Sequence, residues 1–105
     1  MRHDREMIDE EQARAVADGA VGRLAATIGH DDLVISGVEE FPVGWVFYYC
    51  RQRWLETRDL RYLLAGNAPF LVDRRTGRAH LTGTARKVNY YVAEYEAGRH
   101  LCREC

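Results

Sequence analysis

Three cysteines and four histidines are the side chains in this chain of 105 residues best suited to covalent or metal chemistry. Cys50 and His80 are the pair that a thiol nucleophile and its general base would need. Both fall inside runs that read as strands, with no helix N-terminus or oxyanion donors indicated beside them. A buried structural cysteine and a packed or surface histidine are the simpler reading. His100, Cys102 and Cys105 form a second grouping. The C-x-x-C spacing of Cys102 and Cys105, with His100 as a third donor, makes these three the candidates for a metal site. A closed zinc site takes four ligands, however, and this cluster occupies the last residues of the chain, where a frayed tail is expected. The expectation is therefore no metal, no cofactor, no catalytic residue and no enzyme.

The acids fall into the groups Glu10-Glu11, Asp31-Asp32 and Glu39-Glu40. The first suits a helix start, where carboxylates meet the positive end of the helix dipole. The second suits a polar loop. The third, Glu39 and Glu40, is a candidate edge for a basic protein partner. Gly66-Asn67-Ala68-Pro69 and Thr82-Gly83-Thr84-Ala85 lack the spacing of a phosphate cradle and read as turn chemistry and close packing. Arg51, Arg53, Trp54, Arg58, Arg61 and Tyr62 interleave cations with aromatic rings. Such a mixture can stack on single-stranded nucleic acid. Glu56 and Asp59 dilute its charge, and Arg, Trp and Tyr are also the residue types that anchor protein interfaces. Arg53, Trp54 and Arg58 therefore join Glu39 and Glu40 as candidate partner contacts.

Behind these residues lies an ordinary globular composition, 47% hydrophobic and 30% charged, enough for a single domain over residues 1–105. Residues 1–50 carry ten acids against four arginines, and residues 51–105 carry eleven bases against six acids. Two halves that interleave and neutralise each other are the simpler reading, and a dipolar surface that steers a charged partner is the sharper one. No strongly basic face points to nucleic acid. No run approaches the roughly 18 apolar residues of a membrane span. The charged N-terminus leads into no apolar core, so a cytoplasmic setting with reduced cysteines is expected.

The elements that must position these side chains can be read from periodicity. Asp9 and Gln12 have capping-box spacing, and Ala13, Val16, Ala17, Ala20, Leu24 and Ile28 then recur on one helical face. A helix is expected from about Asp9 to Ile28, weakened at Gly19 and Gly22 and closed near Gly29. Leu33 to Phe41 reads as a strand broken at Pro42, and Trp45 to Cys50 as a strand buried on both faces. These two are expected to pair as a hairpin. Residues 51–68 read as irregular or partly helical. Pro69 to Asp73 and Ala79 to Ala85 read as two further strands around an Arg74-Arg75-Thr76-Gly77 turn. Val88, Tyr91, Val92 and Tyr95 mark one face of a closing helix that ends at Gly98. The expected class is α+β: an N-terminal helix, a four-stranded mainly antiparallel sheet and a C-terminal helix packed on the sheet. Both helices are expected on one face.

The motifs stand in a fixed order: Phe41-Pro42-Val43-Gly44-Trp45-Val46-Phe47-Tyr48-Tyr49, Trp54-Leu55-Glu56-Thr57, Ala65-Gly66-Asn67-Ala68-Pro69, Val72-Asp73-Arg74-Arg75-Thr76-Gly77, Thr82-Gly83-Thr84-Ala85, and a helix with Tyr90-Tyr91 and Tyr95-Glu96. This succession resembles the immunity protein 35 family, including its YrhB-like members, over roughly residues 8–97. The segment 98–105 falls outside the resemblance as a tail. The resemblance implies a small cytoplasmic α+β protein that neutralises a cognate bacterial toxin of a polymorphic toxin system by direct stoichiometric binding, as a monomer or homodimer. It implies, as an alternative, a chaperone-like, heat-shock-related protein that binds unfolded clients. No catalytic motif comes with the family. Gly44, Trp45, Gly66, Asn67, Pro69 and Gly83 read as determinants of the fold.

Overall fold

A computed structural model describes residues 7–64 and 67–98. The first helix, α1, spans Glu10–Ile28. Its start is a reciprocal capping box: the Gln12 amide donates to Asp9 Oδ1 at 2.8 Å and the Asp9 amide to Gln12 Oε1 at 3.0 Å. Two of the helix's orphan N–H groups are satisfied in this way. Gly29 ends the helix in the left-handed region, φ 81°, where a side chain would be strained. The inner face is small: Ala13 and Ala17 are fully buried against Trp45, Phe47 and Val72. Alanines there let the helix axis approach the sheet closely.

Four antiparallel strands follow in the spatial order β1-β2-β3-β4. They are β1 (Leu33–Phe41), β2 (Gly44–Arg51), β3 (Phe70–Asp73) and β4 (Ala79–Leu81). A bulge between Ile35 and Gly37 shifts the register of β1 on β2. Alternation along β2 divides the core. Trp45, Phe47 and Tyr49 meet α1, while Val46 packs with Leu71 and with Val92 of the last helix, α3 (Val88–Glu96). The two helices therefore lie on opposite faces of the sheet, which corrects the expectation of a single helical face. The cause is the double-sided burial of β2 and β3, for one helix covers only one side of such strands.

The fourth strand is also shorter than the pattern implied. After Leu81, the Thr82 amide and hydroxyl still bond to Pro69 O, at 3.0 and 2.8 Å. The chain then leaves the sheet because Gly83 lies against Tyr91, whose hydroxyl accepts the amides of Ala85 and Arg86, each at 3.1 Å.

At the β1–β2 turn, Arg74 ties three segments together. Its guanidinium lies 4.3 Å from the Trp45 ring centroid and donates to Glu40 Oε2 and Phe41 O, both at 2.9 Å, and to Pro42 O at 3.2 Å. Arg74→Ala is expected to lose about 1–2 kcal/mol, since stacking and charge-assisted bonds go together. Arg74→Lys should recover less than half, because a lysine cannot stack and fork at once. Urea midpoints of the two variants check this.

Candidate functional site

Between β2 and β3 the chain makes an excursion from the sheet. A short helix, α2 (Gln52–Thr57), is followed by a single 3₁₀ turn at Leu60–Tyr62, and neither buries a residue. Leu55, Leu60 and Leu63 are 37%, 75% and 51% exposed. Three of the six exposed large apolar side chains among the described residues thus fall on this one segment.

The excursion is nevertheless fixed at its base. Asp32, just before β1, accepts from Arg51 Nε at 3.0 Å and from the Arg53 amide at 3.3 Å, and its carbonyl accepts the Gln52 amide at 2.6 Å. A helix whose own N-cap residue, Arg51, makes no capping bond is thus capped from another segment. Burial raises the Asp32 carboxyl pKa, but the Arg51 guanidinium and the Arg53 amide outweigh it and hold the group below its usual value. This capping role was not legible in the sequence, where Asp31-Asp32 reads only as a polar loop.

The rings of the excursion carry cations. Arg51, Arg53 and Arg61 lie 5.2, 5.7 and 5.7 Å from the Tyr62 centroid, and Arg58 lies 5.3 Å from Trp54. Arg51 is paired with Asp32 and Arg61 with Asp59, at 3.0 and 2.7 Å. Arg53 and Arg58 have no carboxylate partner among the described residues. Arg58 also closes α2 at φ 55°, the one positive φ outside glycine among the described residues.

The other candidate contacts lie elsewhere. Glu40 stands opposite Trp45 and Glu39 opposite Val46, near the β1–β2 turn, whereas Arg51 at the far end of β2 stands opposite Leu33. At about 3.3 Å per residue the two clusters are roughly 20 Å apart. Glu40 accepts from Arg74, and Glu39 accepts from the Tyr48 hydroxyl at 3.1 Å. Both carboxylates thus have internal partners, although their residues remain exposed. The two ion pairs Arg51–Asp32 and Arg74–Glu40 also join the acidic first half to the basic second half, so part of the charge division is spent inside the fold.

Cys50 and His80 do not form a pair. Cys50 lies opposite Val34, while His80 lies opposite Leu71 on β4 and contacts α3. The Tyr95 hydroxyl donates to Asp73 Oδ2 at 2.6 Å and sits 3.2 Å from His80 Nε2. Asp73, buried in β3, uses Oδ1 for the amides of Arg75 and Thr76. Burial pushes the Tyr95 hydroxyl upward and the Asp73 carboxylate adds to it, to about 12. This trio was missed from sequence, although strand alternation puts Asp73 and His80 on the side of the sheet where the predicted helical face carries Tyr95. Its geometry is that of a bolt between α3 and the sheet.

A groove of about 490 Å³ lies beside that helix, lined by Tyr48, Tyr49, Pro69, Arg86, Lys87 and Val88 among others. It brings together the hydroxyls of Ser36, Tyr48, Tyr49 and Thr84 with the cations Arg86 and Lys87. Among the described residues no three His, Cys, Asp or Glu side chains are grouped as metal ligands. His100, Cys102, Cys105 and Gly66 lie outside the described residues. Among those described, no helix is long and apolar enough to cross a membrane.

The family described as Immunity protein 35 matches residues 12–98. YrhB of Escherichia coli (strain K12), an uncharacterised protein, is 41% identical over 64 residues, which is 61% of this chain and 68% of YrhB. No solved structure matches.

Proposed function

Because the chain belongs to the immunity protein 35 family, we propose that it neutralises a cognate bacterial toxin by binding it stoichiometrically in the cytoplasm, with no catalysis of its own. The observation that carries the contact surface is the excursion between β2 and β3: α2 and the 3₁₀ turn bury no residue, Leu60 and Leu63 are exposed, and Arg53 and Arg58 have no carboxylate partner among the described residues. Exposed apolar area with aromatic and arginine anchors is the composition of an interface centre. Arg53, Trp54 and Arg58 are the proposed central contacts. Glu39 and Glu40 are a second cluster, still within a patch of roughly 800 Å², some 30 Å across. The chain acts as a monomer or homodimer, without a cofactor.

The exposed leucines also favour a second reading, in which the same surface holds unfolded clients in a chaperone-like role. An affinity pull-down from the native organism separates the two. Expected is one partner in a 1:1 complex whose expression alone arrests growth and whose effect this chain relieves. Many substoichiometric clients that increase after heat shock would instead establish the second reading.

A further inference from the structure

We infer that the surface met by the excursion is acidic, with an apolar recess for Leu60 and Leu63, so the toxin is not held at a nucleic-acid-binding cleft. The inference rests on the reading of the chain as a toxin-binding protein. Four observations lead to it. Two of the acids within and below the excursion are paired, Asp32 with Arg51 and Asp59 with Arg61, while Glu56 accepts from the neutral Gln52 Nε2 at 3.1 Å and keeps its charge. Arg53 and Arg58 are left as cations without a carboxylate partner among the described residues, each lying over a ring that holds it in place. The exposed acids Glu39 and Glu40 lie at the other end of the β1–β2 hairpin, and Glu40 is paired with Arg74.

Arg58 adds the fourth observation. Its φ of 55° strains a residue with a Cβ relative to glycine, which closes many helices in that conformation. The backbone gives no reason for arginine there. The guanidinium, held over Trp54, does.

Charge then selects the partner. Nucleic-acid clefts are basic because phosphate contacts dominate affinity. Seating Arg53 and Arg58 in such a cleft would juxtapose like charges and weaken the complex. Nor does the excursion suit a nucleic-acid strand itself. The Tyr62 and Trp54 rings already carry guanidiniums, and the exposed leucines offer no stacking face.

The test titrates the full chain with three probes: an amphipathic peptide of about 12 residues built from Glu and Leu, its counterpart with Lys for Glu, and an oligothymidine strand of similar length. The Trp54 indole NMR signal reads binding, and buried Trp45 is the internal control. The Glu peptide is expected to bind about tenfold more tightly than the Lys peptide at low salt, and Arg53→Glu/Arg58→Glu to reverse that order. Arg58→Gly should keep or raise the melting temperature yet weaken Glu-peptide binding about threefold or more. A purely structural arginine would lower the melting temperature and leave binding unchanged. Preferential binding of the Lys peptide or of oligothymidine, unchanged binding by Arg58→Gly, or no response to any probe would each overturn the inference. Growth protection against the toxin captured above separates it from the premise. A folded Arg53→Glu/Arg58→Glu chain that still protects fully defeats the acidic contact alone, whereas a wild-type chain that fails to protect defeats the immunity reading.

Discussion

Gly44→Ala is expected to unfold the protein or leave it barely stable. Gly44 opens β2 between Phe41 of β1 and Asp73 of β3. A Cβ built there overlaps the Val72 carbonyl oxygen and lies 3.0 Å from Val72 C and 3.1 Å from Arg74 N. The obstruction is backbone, not the end of a flexible side chain, so relief requires β3 to move away from β2. That movement breaks the ladder at the centre of the sheet and lifts Arg74 from Trp45. Overpacking on this scale costs about 3–5 kcal/mol, against a total stability of roughly 5–15 kcal/mol for a small domain. Gly22→Ala is the matched control. A Cβ at Gly22 in α1 meets nothing within 4 Å, and helix propensity then favours alanine by about 0.5–1 kcal/mol. The expected result is a collapse of the urea midpoint for one glycine and a rise for the other. A well-folded Gly44→Ala protein would show that the β2–β3 approach is not tight.

That contrast also marks what the sequence could reveal. Local rules placed α1 from its capping box to its closing glycine, and β1 to the residue, because helix periodicity, Gly29 and Pro42 are signals carried by neighbours in the chain. The apolar run of β2 announced a strand buried on both faces, yet the helices were expected on one face. Burying both sides of β2 needs a second helix opposite the first, a demand that β2 and β3 set together and no single segment shows. Gly83 was legible as a close-packing position, but its partner Tyr91 and the early end of β4 depend on a tertiary contact. The candidate contacts divide the same way. Arg53, Trp54 and Arg58 are proposed from composition, and they fall on the segment the sheet leaves outside. Glu39 and Glu40 are exposed as well, and their bonds to Tyr48 and Arg74 could not be read locally, since they come from strand register and a residue more than thirty positions away. Sequence exposes charge, and folding decides which charges remain for a partner.

The bolt between α3 and the sheet carries the second large effect. Asp73→Ala removes the acceptor of the Tyr95 hydroxyl and of two turn amides at once, leaving donors without their bonds next to the His80 ring, whose centroid is 4.8 Å from that of Tyr95. The expected loss is about 3 kcal/mol, the scale of a broken buried network. Its pH signature separates this network from simple packing. Burial raises the Asp73 carboxyl pKa, but the Tyr95 hydroxyl and the amides of Arg75 and Thr76 outweigh it and hold it below 3.8. Burial, with Arg78 nearby, depresses His80 below 6.5 despite the attraction of Asp73. A depressed folded pKa gives stability that is present above the unfolded value and lost as pH falls. Acid should therefore weaken the fold in two stages, first as pH drops from 6.5 through the lowered pKa of His80, then below 3.8 as Asp73 protonates. Tyr95 has the opposite sign. Raised from 10.0 to about 12, it gives stability that is complete below pH 10 and lost as pH rises toward 12. Partial exposure screens the effect, so about 1 kcal/mol is expected from that limb. Tyr95→Phe should reduce the alkaline loss, which the raised hydroxyls of Tyr48 and Tyr49 share, and His80→Gln should remove the first acid stage, while Asp73→Ala should reduce both the alkaline loss and the second acid stage, which Asp32 shares. Urea midpoints collected across pH for the wild type and these variants decide the matter. A wild-type profile that is level through pH 6.5 and again from 10 to 12 would mean that α3 is held by Val92 and its apolar neighbours alone.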